Sequence, residues 1–450
     1  MSYRSFGAAA IAFASCIASP TANANQAITL DARLAQPVMK DGAGHKNYLR
    51  VALKGCQPEP KETRTPVNVA FVIDRSGSMS GERIVQAREA AIMAIRRLLP
   101  EDIASLVVFD TRADVLIPAR KVADPGLFVD TVRRIGLGGS TAIYDGLGKA
   151  RGEVLANLDP KRLNRIVLLS DGQANVGPSR PGDFAQLGRA LLGEGISVST
   201  IGLGLDYNED LMLQLALASD GNHAFARDPS DLIQIFNREF NDVLAACAQT
   251  VSIDIELKDG VKAVKALSRD ATIEGGKAQF RLNQIYAATE HYVLLEVELD
   301  KGLAVAGEHD LGIVKVAYTE AKSGGQLTLD TAIRARFTAS EAEAKASADA
   351  KVGEAVVEQA ARWRAREAVR LRDEGKLEEA RALILQNATE INAYMGGLPG
   401  PPPPHLLDLS GQYQALGTPS MLLMSPAQMS QQRKALRQLE NSGAGKATRY

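Results

Sequence analysis

Histidine, cysteine and tryptophan are scarce in this chain: five, three and one in 450 residues. His45, His223, His291, His309 and His405 are scattered without the spacing of metal ligands, so each is expected on the surface or in a core. An excess of either charge sign is missing too. The formal net charge is -1, which gives no electrostatic case for nucleic acid. Beyond the N-terminus no segment approaches the ~20 apolar residues of a spanning helix, so the exported chain is expected to be soluble and no channel by itself. There is no Gly-x-Ser-x-Gly elbow that would make Ser76 a nucleophile, and Gly202-x-Gly204 and Gly136-x-Gly138-Gly139 lack the spacing of a nucleotide loop. No repeat recurs at a fixed period.

The N-terminus carries more information. Arg4 is followed by an apolar, small-residue stretch from Phe6 to Ala18, then by Pro20 and Ala22-Asn23-Ala24. This predicts a signal peptide over 1–24, cut after Ala24, and places the protein in the periplasm or at the cell surface. Two alternatives stand: a weak lipobox, Phe13-Ala14-Ser15-Cys16, with Phe13 where Leu is expected, and an uncleaved anchor. Cleavage leaves Cys56 and Cys247, a pair that invites a disulfide in an oxidising compartment or stays as two buried thiols.

From Pro66 to Ala246 apolar strands alternate with helices, the pattern of an α/β sheet. Strands are predicted at 68–73, 103–109, 165–169, 197–202 and 222–226, with an antiparallel edge strand at 113–117. Helices are predicted at 82–99, 125–135, 142–155, 184–194, 209–219 and 232–246. On both sides lie β-like segments: 45–56 before, and 251–257, 278–282, 292–299, 312–318 and 326–337 after. These predict an antiparallel sandwich of about seven strands into which the α/β block is inserted. Residues 339–372 and 376–394 read as a helical hairpin on which Trp363 is a packing anchor. Gly397–Pro404 reads as a Pro/Gly linker and the tail to Tyr450 as ordered only in part. The predicted organisation is therefore 1–24 signal peptide, 25–65 linker and first sandwich strand, 66–247 α/β domain, 248–338 sandwich, 339–396 hairpin, and 397–450 linker and tail.

Asp74-Arg75-Ser76-Gly77-Ser78 follows the apolar run Val67–Ile73, which puts one carboxylate and two hydroxyls on the turn after a buried strand. In a doubly wound sheet of order 3-2-1-4-5-6, ligands bind beyond the carboxyl ends of strands 1 and 4. Asp171 ends the strand across that switch point, and Gly138-Gly139-Ser140-Thr141 sets a hydroxyl at a helix start between them in sequence. Asp74, Ser76, Ser78, Thr141 and Asp171 are thus expected in one crevice, offering only oxygens. That donor set suits a hard divalent cation, Mg²⁺ or alternatively Mn²⁺ or Ca²⁺. With one position left open, the cation would be a Lewis acid for an anionic group such as a partner's Asp or Glu carboxylate.

Asp74-Arg75-Ser76-Gly77-Ser78-Met79, Thr141 in its Gly-Gly-Ser-Thr loop and Asp171-Gly172 resemble the metal-ion-dependent adhesion site (MIDAS) of von Willebrand factor type A (VWA) domains. The stretch through Ile201-Gly202-Leu203-Gly204 looks like the exported bacterial members. The resemblance implies a Rossmann-like fold over roughly Pro66–Ala246. It implies direct ligation by the serines and the threonine, and water-mediated ligation by the aspartates. Arg75 departs from the family pattern without evident consequence. In this fold the first strand and last helix begin and end on one side, so Cys56 before the strand and Cys247 at the helix end imply a clasping disulfide.

The resulting expectation is a non-enzymatic, metal-dependent protein-binding module of the bacterial cell envelope. The alternative is an envelope assembly scaffold whose metal site is only structural. A metal-assisted phosphohydrolase is the remote third reading, since Ser76 stands where that chemistry wants an acid-base group.

Overall fold

The computed structural model describes residues 27–57, 65–204, 207–226, 231, 235, 246–419, 424–442 and 448–449. Strands β1 (Ile28–Leu34), β2 (Val38–Lys40) and β3 (His45–Gly55) come first. An α/β block follows: β4 (Val67–Asp74), α1 (Glu82–Ile95), β5 (Ile103–Phe109), β6 (Ala113–Lys121), α2 (Pro125–Arg133), α3 (Ile143–Leu155), β7 (Leu163–Ser170), α4 (Pro181–Gly193), β8 (Ile196–Leu203), α5 (Glu209–Ala218) and β9 (His223–Ala226). The chain then returns to antiparallel strands β10 (Ala246–Leu257), β11 (Val261–Ala266), β12 (Thr272–Glu274), β13 (Lys277–Tyr286), β14 (Thr289–Leu299), β15 (Gly307–Glu320) and β16 (Gln326–Thr338). Helices α6 (Glu341–Ala346), α7 (Ala350–Asp373), α8 (Leu377–Gly396), α9 (Pro404–Leu416) and α10 (Pro426–Ser442) complete the chain, with a terminal pair β17 (Thr448–Arg449). The predicted signal peptide 1–24 lies outside the described residues, as does the predicted helix 232–246 except at Ile235 and Ala246.

All eight residues of β4 are buried. A strand covered on both faces needs a largely apolar run, and β4 supplies one, interrupted only by Asn68 and the terminal Asp74. Val67, Val69, Phe71 and Ile73 share a core with Ile84, Ala91 and Ile95 of α1 and Phe128 and Val132 of α2. Ala70 and Val72, on the other face, share one with Ile143 and Leu147 of α3, Phe184 of α4 and Leu211 of α5. The sheet order is β6-β5-β4-β7-β8-β9. Only β6 runs antiparallel, with Ala113 opposite Phe109 of β5. The connections reverse direction between β4 and β7, so the carboxyl ends of those two strands open a crevice.

The early strand β3 pairs antiparallel with β14, His45 opposite Leu299 and Lys54 opposite Glu290, so the α/β block is inserted into the sandwich as expected. The sandwich is larger than the sequence pattern suggests, with a five-stranded sheet (β1-β3-β14-β11, plus β17 on β14) against a six-stranded one (β12-β13-β10-β15-β16-β2). The strands missing from the prediction are short or weakly alternating, such as β2 and β12 with three residues each. The face of β3 that carries Ala52 is not solvated either: Val352 and Ala355 of α7 cover Ala52, Tyr292 and Leu294.

Cys56 and Cys247 form a disulfide, with Cα atoms 5.9 Å apart. Cys247, however, sits in strand β10 and not at the end of a helix. The bridge joins the point where the chain leaves the sandwich to the point where it returns. The stretch expected to be a linker and partly ordered tail instead carries α9 and α10, whose Leu406, Tyr413 and Leu436 pack with α7 and α8 around Ala365, Ile384 and Ile391. Trp363 is no packing anchor. It is 55% exposed, because α7 turns Ala361, Ala365 and Ala368 inward and position 363 falls on the other side.

A double Cys56→Ser/Cys247→Ser variant should lose about 2–4 kcal/mol of stability, seen as a lower urea midpoint than the oxidised wild type. The wild type under dithiothreitol should shift equally. Coincident midpoints in all three would mean that the bridge constrains nothing.

Candidate functional site

Asp74 ends β4 at the switch point with no solvent exposure. Its Oδ1 accepts the Ser76 backbone N–H at 2.8 Å, and its Oδ2 accepts the Ser170 hydroxyl at 2.5 Å. The first contact turns the chain tightly into the Ser76–Ser78 segment, bringing the two hydroxyl oxygens to 3.1 Å from each other. Ser170 ends the neighbouring strand β7 and also accepts the Gly172 N–H at 2.8 Å, which fixes the turn that carries Asp171. Asp171 is fully buried. It accepts from Arg83 Nη1 at 3.4 Å, and the same nitrogen donates to the Ser78 carbonyl at 3.0 Å.

The loop with Thr141 is sewn to the first turn by backbone bonds: Gly138 N–H to Arg75 O at 2.6 Å and Gly77 N–H to Gly139 O at 2.8 Å. A Cβ on Gly138 would stand 2.0 Å from Asp110 Oδ2, so glycine is required by the close approach. Asn175 holds the end of the loop, its Oδ1 accepting from Thr141 N at 2.7 Å. Thr141 is 2% exposed. The turns that carry Asp74, Ser76, Ser78 and Asp171 are thus tied together, and the loop that carries Thr141 is tied to the first of them by backbone bonds and not by a Thr141 side-chain hydrogen bond.

Sequence reasoning did not assign roles to Ser170, Arg83, Asn175 or Arg75. Arg75 forms ion pairs at 2.9 Å with both Asp110 and Asp114, bracing the rim. Ser170 was within reach, since it precedes Asp171 at a strand end. Arg83 and Asn175 carried no pattern, because only the folded loops bring them to the crevice. The histidines stay away from it. His223, for instance, is buried between Thr200 Oγ1 and the Tyr207 hydroxyl, each at 2.9 Å.

Burial pushes the Asp74 carboxyl up to about 6, helped by the nearby charge of Asp171 and opposed by the hydrogen bonds from Ser170 and Ser76. Two carboxylates, two serine hydroxyls and a threonine match the oxygen preference of a hard divalent cation. The residues present thus fit such an ion. Among the described residues no cluster of three or more His, Cys, Asp or Glu offers another metal site, and no helix is long and apolar enough to cross a membrane.

Residues 68–238 match the family model of the von Willebrand factor type A domain, a family that often mediates protein–protein interaction. The protein sll0103 of Synechocystis sp. is 28% identical over 289 residues, covering 62% of this chain and 67% of that protein. Inter-alpha-trypsin inhibitor heavy chain H3 of Rattus norvegicus is 32% identical over 226 residues, covering 46% of this chain and 24% of that protein. The chain thus spans about a quarter of the length of that heavy chain. The solved structure of a von Willebrand factor type A protein from Catenulispora acidiphila superposes with a TM-score of 0.72 at 17% identity, covering 92% of this chain and 97% of that one. That likeness is one of fold.

Because folding raises the pKa of Asp74 above its ordinary 3.8, the ionised carboxylate costs stability above about pH 6 and nothing below about pH 4. With divalent ions chelated, Asp74→Asn should therefore be more stable than the wild type near pH 8 by about 1–3 kcal/mol. The gain should fade as the pH falls towards 4. Urea unfolding across that range measures it, and a pH-independent difference would contradict it.

Proposed function

We propose, from a chain whose residues 68–238 form a von Willebrand factor type A domain, that the protein is a divalent-metal-dependent protein-binding module and not an enzyme. Asp74, Ser76, Ser78, Thr141 and Asp171 would hold Mg²⁺, or alternatively Mn²⁺ or Ca²⁺. The serine and threonine hydroxyls would ligate directly and the two aspartates through water. Such an ion supplies a Lewis-acidic position for an Asp or Glu carboxylate of a partner protein. The chain's own residues do the positioning: Ser170 and the Ser76 N–H orient Asp74, the Gly172 turn orients Asp171, and Asn175 sets the Thr141 loop. The observation that carries the reading is the convergence of these oxygen donors at the sheet's switch point around a buried, undercompensated Asp74.

We place the module outside the cytoplasm, in the bacterial envelope. The apolar N-terminal stretch and the Cys56–Cys247 disulfide support this.

A second reading, an assembly scaffold with a purely structural metal site, draws on the helical layer. Through α7 that layer covers the sandwich and through α10 it reaches α5. The two readings separate cleanly. Under the first, Mg²⁺ or Mn²⁺ raises the wild-type melting temperature and leaves Asp74→Ala unmoved. Capture of a partner from envelope extract is then lost with EDTA and with Asp74→Ala, while circular dichroism stays native. Capture that survives both treatments would overturn the metal-dependent reading and favour the scaffold.

A further inference from the structure

A cavity of about 830 Å³ lies where the α/β block, the sandwich and the helical layer meet, bordered by α4 and α5, by β11 to β13, and by α7. Its size is that of a small-molecule site. Its wall carries seven cationic side chains against three carboxylates. All three carboxylates are already committed: Asp220 to Arg269 at 2.9 Å, Glu440 to Arg366 at 2.7 Å and Asp270 to Arg189 at 3.4 Å. Arg364 is paired with Glu390 outside the cavity. That leaves Lys265, Arg281 and Arg362 with no carboxylate within 4 Å among the described residues.

Arg362 is the decisive one. It is only 8% exposed. One terminal nitrogen, Nη1, donates to Gln359 Oε1 at 3.2 Å, whereas Nη2 is buried with no hydrogen-bond partner among the described residues. A guanidinium held away from water with an unused donor is strongly unfavourable unless an anion completes it. Beside it Trp363, the only tryptophan of the chain, stands 55% exposed, with the Lys265 ammonium 5.8 Å from its ring centroid. Leu217 and Leu267 add apolar wall. Cations set beside a half-exposed aromatic ring and an apolar wall describe an amphipathic anion.

We propose that this cavity binds a small amphipathic organic anion, a phosphate, sulfate or carboxylate headgroup on an apolar body. The headgroup engages the Arg362 guanidinium with Arg281 and Lys265, and the apolar body lies along Trp363 and the leucine wall. The site is separate from the crevice at Asp74 and needs no divalent ion.

The single tryptophan reports occupancy directly. Octyl phosphate, titrated into the full chain in EDTA, should shift Trp363 emission saturably, and calorimetry should give the same affinity. Octyltrimethylammonium and inorganic phosphate should each bind at least tenfold more weakly. Arg362→Gln should weaken octyl phosphate binding at least tenfold, and Arg281→Ala, on an exposed strand position, about threefold with unchanged melting temperature. Should Arg362→Gln fail to fold, Arg281→Ala and Lys265→Ala decide the matter. The proposal is overturned by no saturable response, by an equal response to the cationic amphiphile or to inorganic phosphate, or by unchanged affinity in every variant that folds. Loss of binding in EDTA alone would overturn the separateness of the two sites.

Discussion

Burial of the Asp74 carboxylate at the end of a strand with no exposed face is the constraint on which the rest of the site depends. A carboxylate in that position has no water to solvate it, so the neighbouring strands and turns must supply donors. Ser170 comes from β7, the Ser76 N–H from the turn that follows, and both set the geometry of the segments they belong to. The Ser76 contact folds the chain back over the strand end and lets Gly77 meet the Thr141 loop. Burial outweighs these hydrogen bonds, and the carboxyl is pushed up to about 6.

Arg83 refines that picture. Its guanidinium touches Asp171 and the Ser78 carbonyl together, so one half of the acidic pair already has a protein cation beside it. A Cβ at position 204 would lie 2.4 Å from Arg83 Nε, and Gly204 is what leaves the arginine room. The turn of Asp171 is further held by the Asn208 N–H, 2.9 Å from the Asp171 carbonyl. The residues just after Asn208 are gripped from the far end of the chain: Arg433 of α10 pairs with Glu209, with Asp210 at 2.5 Å and with Asp373 at 2.8 Å. Lys434 lies 4.8 Å from the Tyr207 ring centroid. The helical layer therefore reaches to within one or two residues of the crevice wall.

The disulfide and the sandwich serve the same geometry from below. Because Cys247 lies on β10 and Cys56 just past β3, the bridge ties the exit and re-entry of the α/β block to one another and to the sandwich sheets. Asp220 adds a second tie, accepting from Arg269 at 2.9 Å and from the Asn283 N–H at 2.7 Å. This second junction also encloses the basic cavity, so the contacts that dock the parts onto each other shape its wall.

Local pattern determined much of this protein. Largely apolar runs announced the buried strands β4, β5, β7 and β8, and strict alternation announced β10, because burial on two faces or on one writes a different period into the chain. The strand ends then pointed to Asp74 and Asp171, and the Gly-rich loop to Thr141, as candidates, since the switch point of a doubly wound sheet follows from strand order. What only tertiary structure decided is whatever depends on contacts between distant segments. The three-residue strands β2 and β12 exist because a neighbour pairs with them. The helices α9 and α10 hold together through apolar faces buried against α7 and α8. Trp363 is exposed because alanines, not the largest side chain, face the helical core. The closeness of Arg83 to Asp171 and the unspent nitrogen of Arg362 were likewise invisible in the chain, because a side chain's partners are set by packing across sequence separations that no local period records.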